Sequence, residues 1–410
     1  MDTREIRYRR TLQPHPFTFE GSGGEYFKVW IVNLALTLLT LGLYAPWAKV
    51  RRKRYFYQNT VVADGSFDYH ATPKRIFKGM ALATAFFIAW SLGSNLFPPS
   101  RFLFLIAFLL LIPWAVVQSR RFNARYSSYR NLRFDFGGTY RQAALPFAGP
   151  SLLPMLPVLA LLAVFLTLDI DTEEVRPMLL AMQLQSHMFE LIGATILGGI
   201  IAGALYPWAL FAQNRFVAIH TRFGTTPFHF LAERGDFYGL FGRASLIPLA
   251  GMGVVLLTVA VLAQISLPSE GSMLGEIPMP PPTPAQWMAQ IGMGVMSVAL
   301  PIIALMLYAY VNAALNNLFW NHATLEGMRF ECTLAPARLG WIMVSNALAI
   351  MLTLGLFAPW AKVRMMRYRL DNLTLLTPPA SLDAFVAGAS RPVAAAGEEI
   401  GEMFDMDVGI

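Results

Sequence analysis

The chain has 410 residues, of which 55% are hydrophobic and only 14% charged, with a formal net charge of +7 and a mean hydropathy of +0.47. Soluble domains run at about 45–50% apolar and about 25% charged residues, so a water-soluble enzyme with an ordinary surface is excluded. The single cysteine, Cys332, excludes an internal disulfide and a cysteine-cluster metal site.

The first 25 residues carry Arg4, Arg7, Arg9 and Arg10 and no apolar run before Tyr26. They lack the hydrophobic middle of a signal peptide, so the first apolar segment is expected to stay in the mature protein. A helix needs about 20 mostly apolar residues to cross about 30 Å of hydrocarbon. Eight segments approach that length: 29–47, 76–97, 101–118, 145–168, 188–212, 243–267, 288–314 and 341–360. Between them lysine and arginine are distributed unevenly, with eight in 48–78, six in 119–144 and four in 213–243, against none in 268–287. The connection after the fourth segment carries Asp169, Asp171, Glu173 and Glu174. Basic connections stay in the cytoplasm, which sends the poor and acidic ones to the periplasm. Eight plain crossings would leave 20 basic residues inside and 12 outside; if the first and last segments re-enter, the division becomes 30 against 2. Both end segments carry TLG, at Thr40-Leu41-Gly42 and Thr353-Leu354-Gly355, where glycine lets the backbone turn. Plain spanning helices remain the alternative, because re-entrant backbone must be shielded from lipid. The expected fold is an all-α integral membrane protein, a polytopic helical bundle of about six full spans plus two re-entrant or short spanning segments.

An internal repeat organises these elements. TLGLYAPWAKVR at 40–51 recurs as TLGLFAPWAKVR at 353–364. Looser copies, Pro113-Trp114-Ala115 and Pro207-Trp208-Ala209, are followed at the same spacing by an arginine-aromatic pair, giving Arg54, Arg121, Arg215 and Arg367. An aromatic-x-aromatic stretch (FxF) precedes each hydrophobic unit: Phe17-Thr18-Phe19, Phe67-Asp68-Tyr69, Phe134-Asp135-Phe136 and Phe228-His229-Phe230, with Phe330-Glu331-Cys332 as a decayed fifth. Five units follow, at about 17–66, 67–133, 134–227, 228–329 and 330–376, with an acidic tail at 377–410. In the three central units two spans separate the FxF stretch from the arginine pair. If the end units obey the same rule, their single segments return to the face they left. Such repeats build pseudo-symmetric bundles around a central site.

The combination resembles the YjgN family of bacterial inner-membrane proteins. The residues that carry the resemblance are FTFEGSGGEYFKVWIVN at 17–33, TLGLYAPWAKVRRKRYFYQNT at 40–60, FDYH at 67–70 and the acidic ending EEIGEMFDMDVGI. The resemblance covers essentially the whole chain and implies an inner-membrane, multipass protein; it supplies no reaction. The fourth unit departs from the pattern, with Ala309-Tyr310 in place of Pro-Trp and Asn317 in place of arginine.

Two roles compete for the repeated motif. Eight helical residues rise about 12 Å, so Trp47, Trp114, Trp208 and Trp360 can anchor at the headgroup boundary while the arginines reach phosphates beyond it. Alternatively Arg54, Arg121, Arg215 and Arg367, with Lys49 and Lys362, ring a cytoplasmic vestibule for an anionic or lipidic ligand. The cluster Lys49, Arg51, Arg52, Lys53 and Arg54 beside Tyr55, Phe56 and Tyr57 reads as cytoplasmic retention and anionic-lipid contact, not as a nucleic-acid surface, since no recognition module surrounds it. Intramembrane polar candidates are Asn33 and Asn346, which sit at equivalent positions and either satisfy broken backbone near the turns or join helices, and Glu190, which either gates the outer face or is solvated. The acidic tail either docks on the basic surface or is a solvated end. No histidine pair, phosphate loop or nucleophile elbow is present, so no enzyme activity, metal or cofactor is expected. The functional expectation is a transporter or channel for a small or lipidic anion; the alternative is a non-transporting membrane protein that binds lipid or recruits a partner.

Overall fold

The computed structural model describes residues 12–167, 187–266 and 284–379. The acidic connection at 169–174, most of the connection 268–287 and the acidic tail beyond Pro379 lie outside the described residues. Six helices are long and apolar enough to cross a membrane: Pro73–Leu96, Leu103–Tyr126, Tyr140–Thr167, Met188–His220, Arg234–Leu262 and Gln290–His322. They fall on the six central hydrophobic segments, and the chain is an integral membrane protein of helical class.

The first and last segments are not single helices. Helix α1, Gly23–Leu39, stops at Thr40, and the chain reverses through Leu41 (φ 49°) and Gly42 (φ 92°) into α2, Ala45–Gln58. The second copy repeats this with Leu354 (φ 49°) and Gly355 (φ 93°), between Pro336–Leu352 and Ala358–Asp371. A φ near +90° is open to glycine and strained for any residue with a Cβ, which is why the turn falls on TLG. Pro46 then starts the new helix, where its missing N–H costs nothing. In the central copies Pro113 and Pro207 lie inside continuous helices.

The helices are rooted in short strands. Every FxF stretch is extended, and a second short strand follows each helical hairpin. In chain order they are β1 Gln13–Pro16, β2 Thr18–Phe19, β3 Thr60–Val62, β4 Gly65–Tyr69, β5 Ser127–Tyr129, β6 Leu132–Phe136, β7 Thr221–Phe223, β8 Thr226–Pro227, β9 His229–Phe230, β10 Ala323–Leu325, β11 Met328–Cys332 and β12 Leu373–Thr377. All pairing is antiparallel, in the orders β1-β12-β11-β10-β9 and β2-β3-β4-β5-β6-β7-β8. Because β1 and β2 are halves of one extended segment divided at Phe17, and β8 and β9 halves of another divided at Phe228, the two sheets close into a ring of ten segments. The seam is the pairing of the two chain ends, Gln13 opposite Thr377 and Pro16 opposite Thr374. Three of the hairpin turns place two successive residues at positive φ, Ala63-Asp64, Arg130-Asn131 and Glu326-Gly327, the twist that joins neighbouring strands.

Two compact units are distinguished, Met1–Phe237 with Phe319–Cys332 and Pro359–Ile410, and Tyr238–Leu318 with Thr333–Ala358. The whole strand ring belongs to the first. Within it Tyr69, fully buried, packs between Val50 of α2 and Phe122 and Tyr126 of the next hairpin, and Phe136 repeats the arrangement with Val116, Val117 and Phe216. The apolar second position of the FxF stretch thus fills the junction between successive hairpins. At Gly198 a Cβ would lie 2.6 Å from Pro157 Cα, so that glycine lets Met188–His220 approach its partner helix at van der Waals distance. In the second unit a Cβ at Gly251 would lie 2.6 Å from the side-chain tip of Ile303.

Candidate functional site

The strand ring is where the repeated residues converge. In a flat sheet, strands two apart are separated by about 9.6 Å. Phe67 and Phe134, on β4 and β6, have ring centroids 6.4 Å apart, and Tyr129 and Phe223, on β5 and β7, 6.1 Å. Phe17 and Phe67 lie 6.3 Å apart, and Phe228 and Phe330 6.2 Å. Side chains that approach more closely than their strands point toward the concave side of a curved sheet. The first residues of all five FxF stretches take part in these contacts, so the inner side of the ring is lined by stacked phenylalanine. Eight strands enclose an interior that ordinary side chains just fill; ten need larger groups, which accounts for the aromatic lining.

The arginines lie outside this cluster, at the joints between one hairpin and the next. Arg121 donates to the carbonyl of Gly138 at 3.1 Å, and Arg367 to the carbonyl of Gly21 at 3.1 Å. Each acceptor lies two residues past an FxF stretch, at the start of the following helix. Arg54 donates from Nε to the carbonyl of Tyr69 at 3.5 Å. The bond from Arg367 to Gly21 joins the last arginine to the first hairpin, as the strand seam joins the chain ends. Arg215 is exposed and makes no such bond among the described residues.

Asn317, the departure from the arginine pattern, occupies the same joint. It donates from Nδ2 to Leu334 O at 2.9 Å and accepts from Leu334 N at 2.9 Å, across the same 17-residue separation as Arg121 and Gly138. One turn later Asn321 holds both backbone groups of Cys332, at 3.1 and 2.6 Å. The equivalent positions Gln58 and Arg125 bond Asp68 at 3.2 Å and Asp135 at 3.2 Å. The 17-residue separation shared with Arg121 was the available sequence signal; the shared role was missed because asparagine and arginine share only the capacity to donate to a carbonyl.

The tryptophans also reach the next hairpin. Trp47 lies 6.0 Å from Phe77, and Trp360 5.0 Å from Phe27, the same position one repeat on. Trp47 and Trp360 are each 38% exposed, and Trp114 and Trp208 half-buried. Asn33 is buried and donates to Ala48 O at 3.4 Å, while its Oδ1 accepts from Arg51 at 3.5 Å. It therefore joins α1 to α2, and the backbone at Gly42 is satisfied by other groups. Asn346 is equally buried. Glu190 is exposed at the start of its helix, 2.8 Å from His187 Nδ1. Lys49 is half-buried and Lys362 exposed.

At the start of α1, Ser22 and Glu25 form a capping box, with the Glu25 carboxylate accepting from Ser22 N and from the Tyr55 hydroxyl, both at 3.3 Å. These bonds, the Ser22 amide first, hold the Glu25 carboxyl below the usual range. Burial, then the neighbouring Glu25 charge, pushes the Tyr55 hydroxyl up to about 12. Among the described residues no cluster of three His, Cys, Asp or Glu side chains could hold a metal ion.

The profile of a family described as bacterial protein of unknown function, DUF898, matches residues 14–403. The chain is 28% identical over 368 residues to the inner membrane protein YjgN of Salmonella typhimurium, covering 87% of each. It is 32% identical over 124 residues to the protein of the same name from Escherichia coli O157:H7, covering 30% of this chain and 31% of that one. No solved structure matches.

Proposed function

Because the chain belongs to the DUF898 family of bacterial proteins and is an integral membrane protein with inner-membrane relatives, we propose that it is a non-catalytic, non-transporting lipid-binding protein of the inner membrane. Its strand ring and both chain ends face the cytoplasm, and the five sequence repeats are its building units. The observation that carries the reading is the aromatic interior of the ring. The stacks Phe17–Phe67–Phe134 and Phe228–Phe330 put aromatic rings, and not charged groups, where a conduit along the ring would run. The hydrogen bonds of Arg54, Arg121 and Arg367 to backbone carbonyls further support a joining role for the groups an anion vestibule would require.

A guanidinium has five N–H donors, so an arginine that bonds one carbonyl keeps donors for a phosphate. Arg51, Arg54, Lys74, Lys78, Lys362 and Arg367 are exposed around the ring, and juxtamembrane cations attract anionic headgroups. The tryptophans beside them sit where indole rings anchor at the headgroup level.

The test is reconstitution into vesicles of phosphatidylethanolamine and phosphatidylglycerol. Anionic lipid is expected to stay with the protein through purification and to be lost from an Arg51→Gln, Lys74→Gln, Lys78→Gln variant. Anion efflux is expected to equal that of protein-free vesicles. Saturable efflux through the wild-type protein would overturn the reading in favour of transport.

A further inference from the structure

The two TLG turns are the most exposed apolar points of the described chain. Leu41 and Leu354 are each 95% exposed, with Leu39 at 80% and Leu352 at 84% beside them. A leucine-bearing turn in water would be costly; one in hydrocarbon must satisfy every backbone polar group by itself. Each turn pairs all of its backbone N–H groups internally, in the same pattern in both copies. Gly42 N donates to Thr37 O at 2.8 Å and Leu41 N to Leu38 O at 3.1 Å. The Thr40 hydroxyl bridges the two arms, donating to Leu36 O at 2.7 Å and accepting from Tyr44 N at 3.0 Å. In the second copy Gly355 N donates to Ile350 O at 2.8 Å, and Thr353 Oγ1 donates to Ala349 O at 2.7 Å and accepts from Phe357 N at 2.9 Å.

The arms set the depth. Leu41 and Lys49, and Leu354 and Lys362, are eight residues apart; the helical part from Ala45 or Ala358 onward rises about 6 Å and the turn adds the rest, so these lysines lie within about one leaflet of the tip. One leaflet of hydrocarbon is about 15 Å and the full core about 30 Å thick. A turn that reached the far surface would drag Lys49, Arg51 and Arg52 into the middle of the bilayer, where charge is disfavoured. A turn at the mid-plane leaves the same cations at the headgroups, with lysine stems extended along the apolar surface. The strands that begin and end each hairpin are paired, Thr18 with Val61 and Glu331 with Thr374, so both arms return to the side they left.

We propose that each TLG turn is a lipid-inserted tip, holding its leucines against the acyl chains of the leaflet on the strand-ring side and ending near the bilayer mid-plane. The depth of the tips does not depend on which lipid the basic surface prefers or on whether anything is transported, so failure here would leave the lipid-binding reading standing.

The experiment places one spin label at a time, in a Cys332→Ala background, by Leu41→Cys and by Leu354→Cys in the full chain reconstituted in bilayers. Leu39→Cys and Leu352→Cys serve if either variant fails to fold. Oxygen accessibility is expected to exceed that of a water-soluble nickel chelate at both tips, with a depth of about 12–15 Å below the phosphates. A nickel-accessible label would overturn the proposal, as would labelling of either cysteine by an impermeant maleimide from the face opposite the strands.

Discussion

Asn317 and Arg121 show what their shared position does. One is a neutral amide and the other a cation, yet both donate to the carbonyl that opens the following hairpin. The joint therefore needs a donor at the right distance and not a charge. Hydrogen bonds from charged groups contribute about 1.5–3 kcal/mol, so Arg121→Ala is expected to lower the unfolding free energy by about that amount. Arg215→Ala, at an exposed site without such a bond, should change it by less than about 0.5 kcal/mol; chemical unfolding in detergent measures both. The capping box gives a pH dependence. Glu25 titrates below an ordinary glutamate, so its stabilising contribution is full above about pH 4.3 and is lost as pH falls through the lower folded value. Melting curves between pH 3 and 7 should show that loss in the wild type, and a flatter profile in Glu25→Gln.

At the level of elements, the TLG hairpin behaves as one piece: threonine closes it, leucine crowns it and glycine turns it. Gly42→Ala forces a Cβ into a backbone with φ 92°, which costs about 1–2 kcal/mol, and Gly355→Ala should cost the same. Equal losses for the two variants, measured by thermal unfolding, are the expected result. The turn was legible because two copies of one motif shared a glycine and because the charge count favoured segments that re-enter over plain crossings. The FxF stretches were legible as extended, since apolar and polar residues alternate there. Their partners were not. Thr60-Val61-Val62 and Ser127-Ser128-Tyr129 carry no common motif, and strands of three residues leave little periodicity to read.

On the scale of the whole molecule, the N- and C-terminal strands pair with each other, so the ring has no beginning that the fold itself requires. A chain whose residues 12 and 379 are joined by a short linker, with new ends opened at the Ala63-Asp64 turn, is expected to fold and to melt within a few degrees of the parent; an aggregated product would argue that the seam is not closed. Composition by itself determined that this is a membrane protein, because 14% charge cannot cover a water-exposed surface. Hydropathy determined the six long helices, because the span of a helix is a local property of about 20 successive residues. Only the tertiary structure decided that the strands form a ring and that arginine and asparagine do the same work in it. Pairing between Gln13 and Thr377, or between Arg367 and Gly21, joins residues more than 340 positions apart. Contacts at that distance are set by how the hairpins come together, which no local periodicity records.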